Sequence, residues 1–201
     1  MGVDEKLNQL RQRAQRSIDD RGPSAETAEL FSILVKANPR DGVAWFNLGD
    51  SLQVMGRLRE AAEAFLTARE LAPKSRRFGM DARLGMVASK NAAPAEAEKW
   101  FRLATSVPEC PGWVWLLRAA NLMRKESMKL ARECLNTARL RGDVDLEEVL
   151  LNEALIDLSE GDYEAAAQRA DAALKIDSGY EPARHLLALL QGAAEAKLER
   201  S

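Results

Sequence analysis

A small residue followed twelve positions later by alanine recurs four times in this chain: Gly49 and Ala61, Gly85 and Ala97, Ala119 and Ala131, Ala154 and Ala166. Four residues beyond each alanine stand Phe65, Phe101, Leu135 and Ala170, and three beyond those stand Ala68, Ala104, Ala138 and Ala173. The steps from Ala61 to Ala97, Ala131 and Ala166 are 36, 34 and 35 residues. Steps of three and four put apolar side chains on one face of a helix. A small residue on each of two helices lets them approach closely. Such a unit cannot bury its apolar face alone, so consecutive units must stack. Alternation of period two is absent, β-branched residues are sparse, and helix formers such as Ala, Leu, Glu and Arg dominate. The chain therefore reads as all-α.

The fullest unit is 42–75, GVAWFNLGDSLQVMGRLREAAEAFLTARELAPKS. One helix runs through Trp45, Leu48, Gly49 and Leu52, and a break falls at Met55–Gly56. A second helix runs through Ala61, Phe65, Ala68 and Leu71. Pro73 stops it, because proline has no amide hydrogen and clashes with the preceding turn. These residues resemble a tetratricopeptide repeat, whose pattern of Trp, Leu-Gly, Tyr, Ala, Phe, Ala and Pro is matched with Leu52 in the tyrosine slot. The resemblance implies a right-handed α-solenoid forming a single domain over 1–201. Its five helix-turn-helix repeats would span about 8–41, 42–75, 78–111, 112–145 and 147–180, with a capping helix over 181–198.

The first repeat is degenerate, with helices over 8–20 and 24–37 separated by Gly22–Pro23. Gln15 and Thr27 stand where small contact residues are expected. Ser24 caps the second helix, and Thr27 reads as too short to complete a reciprocal capping box. The extra residues between repeats fall near Arg76–Arg77 and around 144–147, in loops that tolerate added length. Pro94 suits the first turn of a helix. The last helix puts Ala183, Leu186, Leu187 and Leu190 on one side, as a solenoid end requires.

Little in the sequence suggests chemistry. His185 is the single histidine and cannot build a metal site alone. No nucleophile–base pairing, phosphate-cradling loop or paired metal ligands occur. No cofactor and no enzymatic activity are expected. Cys110 and Cys134 read as reduced thiols, Cys134 packed among apolar residues and Cys110 exposed in a loop. A net charge of -2 and the lack of a basic stripe with interleaved aromatics argue against nucleic acid. No apolar run approaches the ~18 residues of a membrane span. The start, MGVDEKLNQL, has no apolar core of a signal peptide, so a cytoplasmic protein is expected.

Two charge zones adjoin. Residues 143–164 carry nine acidic side chains and no Lys or Arg, and 124–141 carry six basic ones against two acidic. The favoured reading is that successive helices complement each other; the other is an acidic docking face for a basic partner. Arg118 and Glu153 replace the leucines of earlier repeats and are expected to form an ion pair between repeats.

The resemblance also implies a concave groove, lined by the first helix of each repeat, that binds a protein or peptide partner. Transferred residue by residue, its lining is Arg13 and Arg16 in the first repeat, and Phe46, Asn47 and Asp50 in the second. The third gives Arg83, Met86 and Lys90, and the fourth gives Trp113, Leu116, Leu117 and Met123. The fifth gives Leu151, Asn152 and Leu155. Asn47 and Arg83 match two of the five clamp positions by which chaperone-binding repeats hold an acidic C-terminus; Gln12, Arg16 and Gly79 stand at the others. A looser acidic-peptide site at Arg16, Asn47 and Arg83 is expected, with an apolar stretch over the later repeats. The implied function is a non-catalytic interaction scaffold. The alternatives are a repeat module or regulatory subunit of a transferase or hydroxylase system, and a secretion-type chaperone. A homo-oligomer is left open.

Overall fold

The computed structural model describes residues 3–198. The helices among them are α1 (Val3–Arg21), α2 (Ala25–Ala37), α3 (Gly42–Val54), α4 (Leu58–Leu71), α5 (Arg77–Lys90) and α6 (Pro94–Ala104). They continue as α7 (Gly112–Arg124), α8 (Met128–Arg141), α9 (Leu146–Ser159), α10 (Tyr163–Ile176) and α11 (Glu181–Leu198). A short 3-10 turn, Lys74–Arg76, takes up the added length before α5. No strand occurs among the described residues. The chain forms two compact units, Met1–Cys110 and Pro111–Ser201.

In the first unit the helices pack in chain order, α1 on α2, α2 on α3, and so on to α6. The spacing of sixteen from glycine to phenylalanine has a direct physical basis. A Cβ at Gly49 would lie 2.6 Å from the Phe65 ring, and one at Gly85 would lie 2.7 Å from the Phe101 ring. Both rings are buried to 1% exposure or less. Only glycine lets the phenylalanine of the second helix reach the backbone of the first. In the second unit the same slots hold Ala119 with Leu135, and Ala154 with Ala170, all fully buried. As the small residue gains a methyl group, its partner loses volume, which keeps the density that protein cores require.

The turns within the repeats need a left-handed residue. Gly56 (φ 74°) and Gly161 (φ 84°) supply it in the second and fifth repeats, whereas Ala92 (φ 54°) and Glu126 (φ 56°) hold it in the third and fourth. Pro94 begins α6, as its fixed φ favours. Asp162 caps α10 by accepting from the Ala165 amide at 2.9 Å.

Three sequence expectations are corrected here. Thr27 does complete a capping box: its hydroxyl accepts from the Ser24 amide at 2.7 Å while Ser24 Oγ accepts from the Thr27 amide. Threonine suffices because the α2 entry brings the two groups together, and the hydroxyl also bonds Ser51 of α3 at 2.8 Å. Second, Ala14, fully buried, fills the contact slot of α1, and Gln15 is exposed. α1 stays helical up to Gly22, whose φ of 73° ends it, whereas α3 stops two residues before Gly56. The longer helix shifts its inner face by one residue. Third, Cys110 is fully buried rather than exposed. A turn donating its amide to the Val107 carbonyl carries the thiol inward, where it packs as a small apolar group.

In the second unit α7 packs on α8, α8 on α9, α9 on α10, and α10 on α11. Asp143, in the loop before α9, accepts from the Gly112 amide at 2.8 Å. It thereby satisfies one of the orphan donors at the start of α7. Ala183 and Leu186 of α11 cover Ala154, Ala170 and Ala173, closing that end.

Candidate functional site

A groove of about 880 Å³ lies within the first unit. α1 contributes Arg11 and Gln15, α3 contributes Val43, Phe46 and Asn47, and α5 contributes Phe78 and Met80. Phe31, Leu34 and Leu71 complete its apolar lining. Val43 is 68% exposed, an apolar side chain left in water on the groove wall. Phe46 is braced from behind, its ring centroid 5.7 Å from that of Phe65 at a tilt of 59°. Gly49 thus acts on the groove at one remove, by admitting the ring that supports Phe46.

The charged groups of this lining are Arg11, Arg40, Asp41 and Arg76. Arg11 is tied to Asp41 at 2.6 Å, and Asp41 also caps α3 by accepting from the Ala44 amide at 3.0 Å. Arg40 and Arg76 are exposed, and no carboxylate of the described residues pairs with either.

Phe46 and Asn47 stand on the groove wall. Arg13 and Arg16 do not; Arg13 faces Glu26 at 3.5 Å, and α1 presents Arg11 and Gln15 to the groove instead. Arg83 is already engaged. Its Nε donates to Asp50 Oδ1 at 2.6 Å and its Nη2 to Oδ2 at 3.5 Å, and the guanidinium lies 5.7 Å from the Phe46 ring centroid. Its Nη1 also meets the Met86 sulfur at 3.7 Å. The expected acidic-peptide site at Arg16, Asn47 and Arg83 is therefore not assembled: Asp50 fills the arginine fork from inside the unit. Lys90 is exposed at the end of α5.

The second unit spends three of its expected groove residues, Leu116, Met123 and Leu151, on its own packing. Leu116 is 6% exposed and belongs to the core with Leu122 and Val149, which corrects its assignment to a groove. Met123 packs against that core, and Leu151 packs against the core formed by Ala154, Ala170, Ala173, Ala183 and Leu186. The Asn152 amide donates to the Glu148 carbonyl at 2.8 Å. Trp113 and Leu117 are half-buried on α7, and Leu155 is 38% exposed.

The two charge zones meet in a ladder. Arg132 of α8 reaches Glu160 at 2.6 Å and Asp157 at 2.7 Å. Arg169 of α10 reaches Asp157 and Glu153, each at 2.5 Å, and Arg139 of α8 reaches Glu153 at 2.7 Å. The Glu153 carboxylate thus sits between Arg139 and Arg169, where Arg118 was expected; the Arg118 guanidinium lies 5.9 Å from the Trp115 ring centroid. Most of the acidic zone is used for helix caps and this ladder, as the complementary-helix reading holds. At the start of α9, partial desolvation raises the Glu148 carboxyl above its ordinary 4.5, and Asp145 and Glu147 push it the same way. The Tyr180 hydroxyl is raised as well, first by burial and then by those carboxylates.

Among the described residues, no group of three or more His, Cys, Asp or Glu is placed to hold a metal ion. Nor is any described helix long and apolar enough to cross a membrane. The tetratricopeptide-repeat family model matches residues 42–75. Helical hairpins occur before and after it, and Gly85 with Phe101 repeats its glycine–phenylalanine contact. Residues 42–75 are a tetratricopeptide repeat. Solved structures superpose on most of the chain. MamA 41-end from Desulfovibrio magneticus RS-1 gives a TM-score of 0.73 at 18% identity, covering 90% of this chain and 98% of that one. YrrB, described as a TPR protein with an unusual peptide-binding site, gives 0.64 at 15% identity, covering 90% and 84%. A chain of the APC/C hetero-tetramer Cut9-Hcn1 gives 0.71 at 16% identity; 92% of this chain is covered, spanning 39% of that longer one. At these identities the likeness is one of fold. No curated protein matches the sequence.

Proposed function

We propose that this chain is a non-catalytic interaction module, and that the groove of its first unit holds an extended or helical segment of a protein partner. The observation that carries this reading is an apolar groove left open beside Val43, Phe46 and Phe78, with arginines at its rim. Exposed apolar surface of this kind marks binding sites, because a soluble chain gains nothing from leaving it wet. The peptide-binding site ascribed to YrrB supports it by analogy of fold. A second reading is that the chain serves as the repeat portion of a larger assembly, as the matched segment of the Cut9-Hcn1 tetramer forms part of a longer chain.

The test is affinity capture with the wild-type chain, Val43→Gln, Phe78→Ala, and Leu155→Gln in the second unit as control. Both groove variants are expected to lose a protein that the wild type and the control retain, with unchanged helical spectra. Retention of that protein by both groove variants would place the binding surface elsewhere.

A further inference from the structure

Arg40 and Arg76 occupy the same place in consecutive repeats. They are 36 residues apart, as are Gly49 and Gly85, and each stands just ahead of the first helix of its repeat. Both line the groove. Three other arginines of this unit have internal carboxylates: Arg11 has Asp41, Arg69 has Asp81 at 2.5 Å, and Arg83 has Asp50, while Arg77 donates to the Ala72 carbonyl. A unit that pairs these arginines leaves two open beside an apolar wall. The corresponding residues of the next two repeats are Cys110 and Asp145, so the row of cations ends with this unit.

We infer that the groove selects a protein segment in which bulky apolar side chains are bordered by carboxylates, and that Arg40 and Arg76 read those carboxylates. This rests on the groove being the binding surface. A guanidinium holds a carboxylate through two parallel hydrogen bonds. Beside low-dielectric walls its field is stronger than in open water. A basic segment would meet three guanidiniums and one carboxylate, and that carboxylate is already held by Arg11 and by the α3 amide. The site differs from a clamp built on the inner helix positions, because Arg83 is closed by Asp50 and the reading residues lie in the loops ahead of α3 and α5.

The experiment uses the full chain and two short labelled synthetic peptides, each with a phenylalanine and two leucines at its centre. One is flanked on both sides by glutamates, the other by lysines. The acidic peptide is expected to bind at least about tenfold more tightly, and added salt should weaken it. The double variant Arg40→Glu, Arg76→Glu should reverse the preference; both side chains are exposed, so the fold should survive. Equal binding of the two peptides, lost in Phe78→Ala, would overturn the charge reading and leave the groove standing. Binding of neither peptide, or binding untouched by Phe78→Ala, would overturn both. Self-association of the chain that disappears in the double variant would assign the groove to a second copy and overturn the peptide reading.

Discussion

At position 49 a missing methyl group decides where Phe65 can go. The ring needs the space that a Cβ would fill at 2.6 Å, and a fully buried phenylalanine has no room to retreat. Gly49→Ala is expected to cost about 1–3 kcal/mol in urea unfolding, the usual range for overpacking. Adding Phe65→Leu imitates the Ala119 and Leu135 arrangement of the fourth repeat. The pair should then cost less than the sum of the two single changes, by a coupling of about 0.5–3 kcal/mol. Additive losses would mean that the two residues do not share the slot. The fixed spacing of glycine and phenylalanine, and with it a close approach of the two helices, was legible in the sequence. The offset of α1 was not. It depends on where Gly22 ends the helix, and the residue pattern allows either of two neighbouring places. The closure of Arg83 by Asp50 was equally hidden, because both residues read as groove positions and nothing in their spacing says that they face each other.

Between helices, charge does what leucine does earlier in the chain. Glu153 and Asp157 are 8% and 4% exposed and lie under arginines of α8 and α10. Removing one partner of a fully buried pair costs about 3–5 kcal/mol, but Arg139 and Arg169 remain about a third exposed, so solvent screens the loss. Glu153→Ala should cost about 1–3 kcal/mol, and combining it with Arg169→Ala should cost less than the sum. Strict additivity in thermal unfolding would reduce the ladder to unconnected surface pairs. The zones themselves were legible as alternating blocks of charge. Their pairing was not, because a helix can meet its neighbours on either side. Glu148 gives a pH-dependent prediction. Its folded pKa lies above its unfolded one, so the folded state binds the extra proton and stability falls as pH rises through the raised value. Glu148→Gln should therefore stabilise the chain near neutral pH, by an amount within about 0.5 kcal/mol. The gain should vanish below about pH 4, where the wild-type carboxyl is protonated in both states. A gain that persists in acid would assign the effect to something other than charge.

For the whole molecule, the division of labour follows from what each unit leaves open. The second unit consumes Leu116, Leu151 and most of its acidic zone in its own packing and capping. The first unit leaves an apolar groove with two arginines that no carboxylate of the described residues satisfies. Repeat architecture was legible throughout, since each hairpin carries its own contact pattern. The location of the open surface was not, because it depends on which inner residues find partners within the fold. Amide hydrogen exchange on the full chain, with and without the acidic peptide, tests the central claim most directly. Protection should concentrate at the starts of α3 and α5, around 40–47 and 76–83, and leave 143–164 unchanged. Protection confined to 143–164 or to α11, with none around 40–47, would contradict the assignment of binding to the first unit.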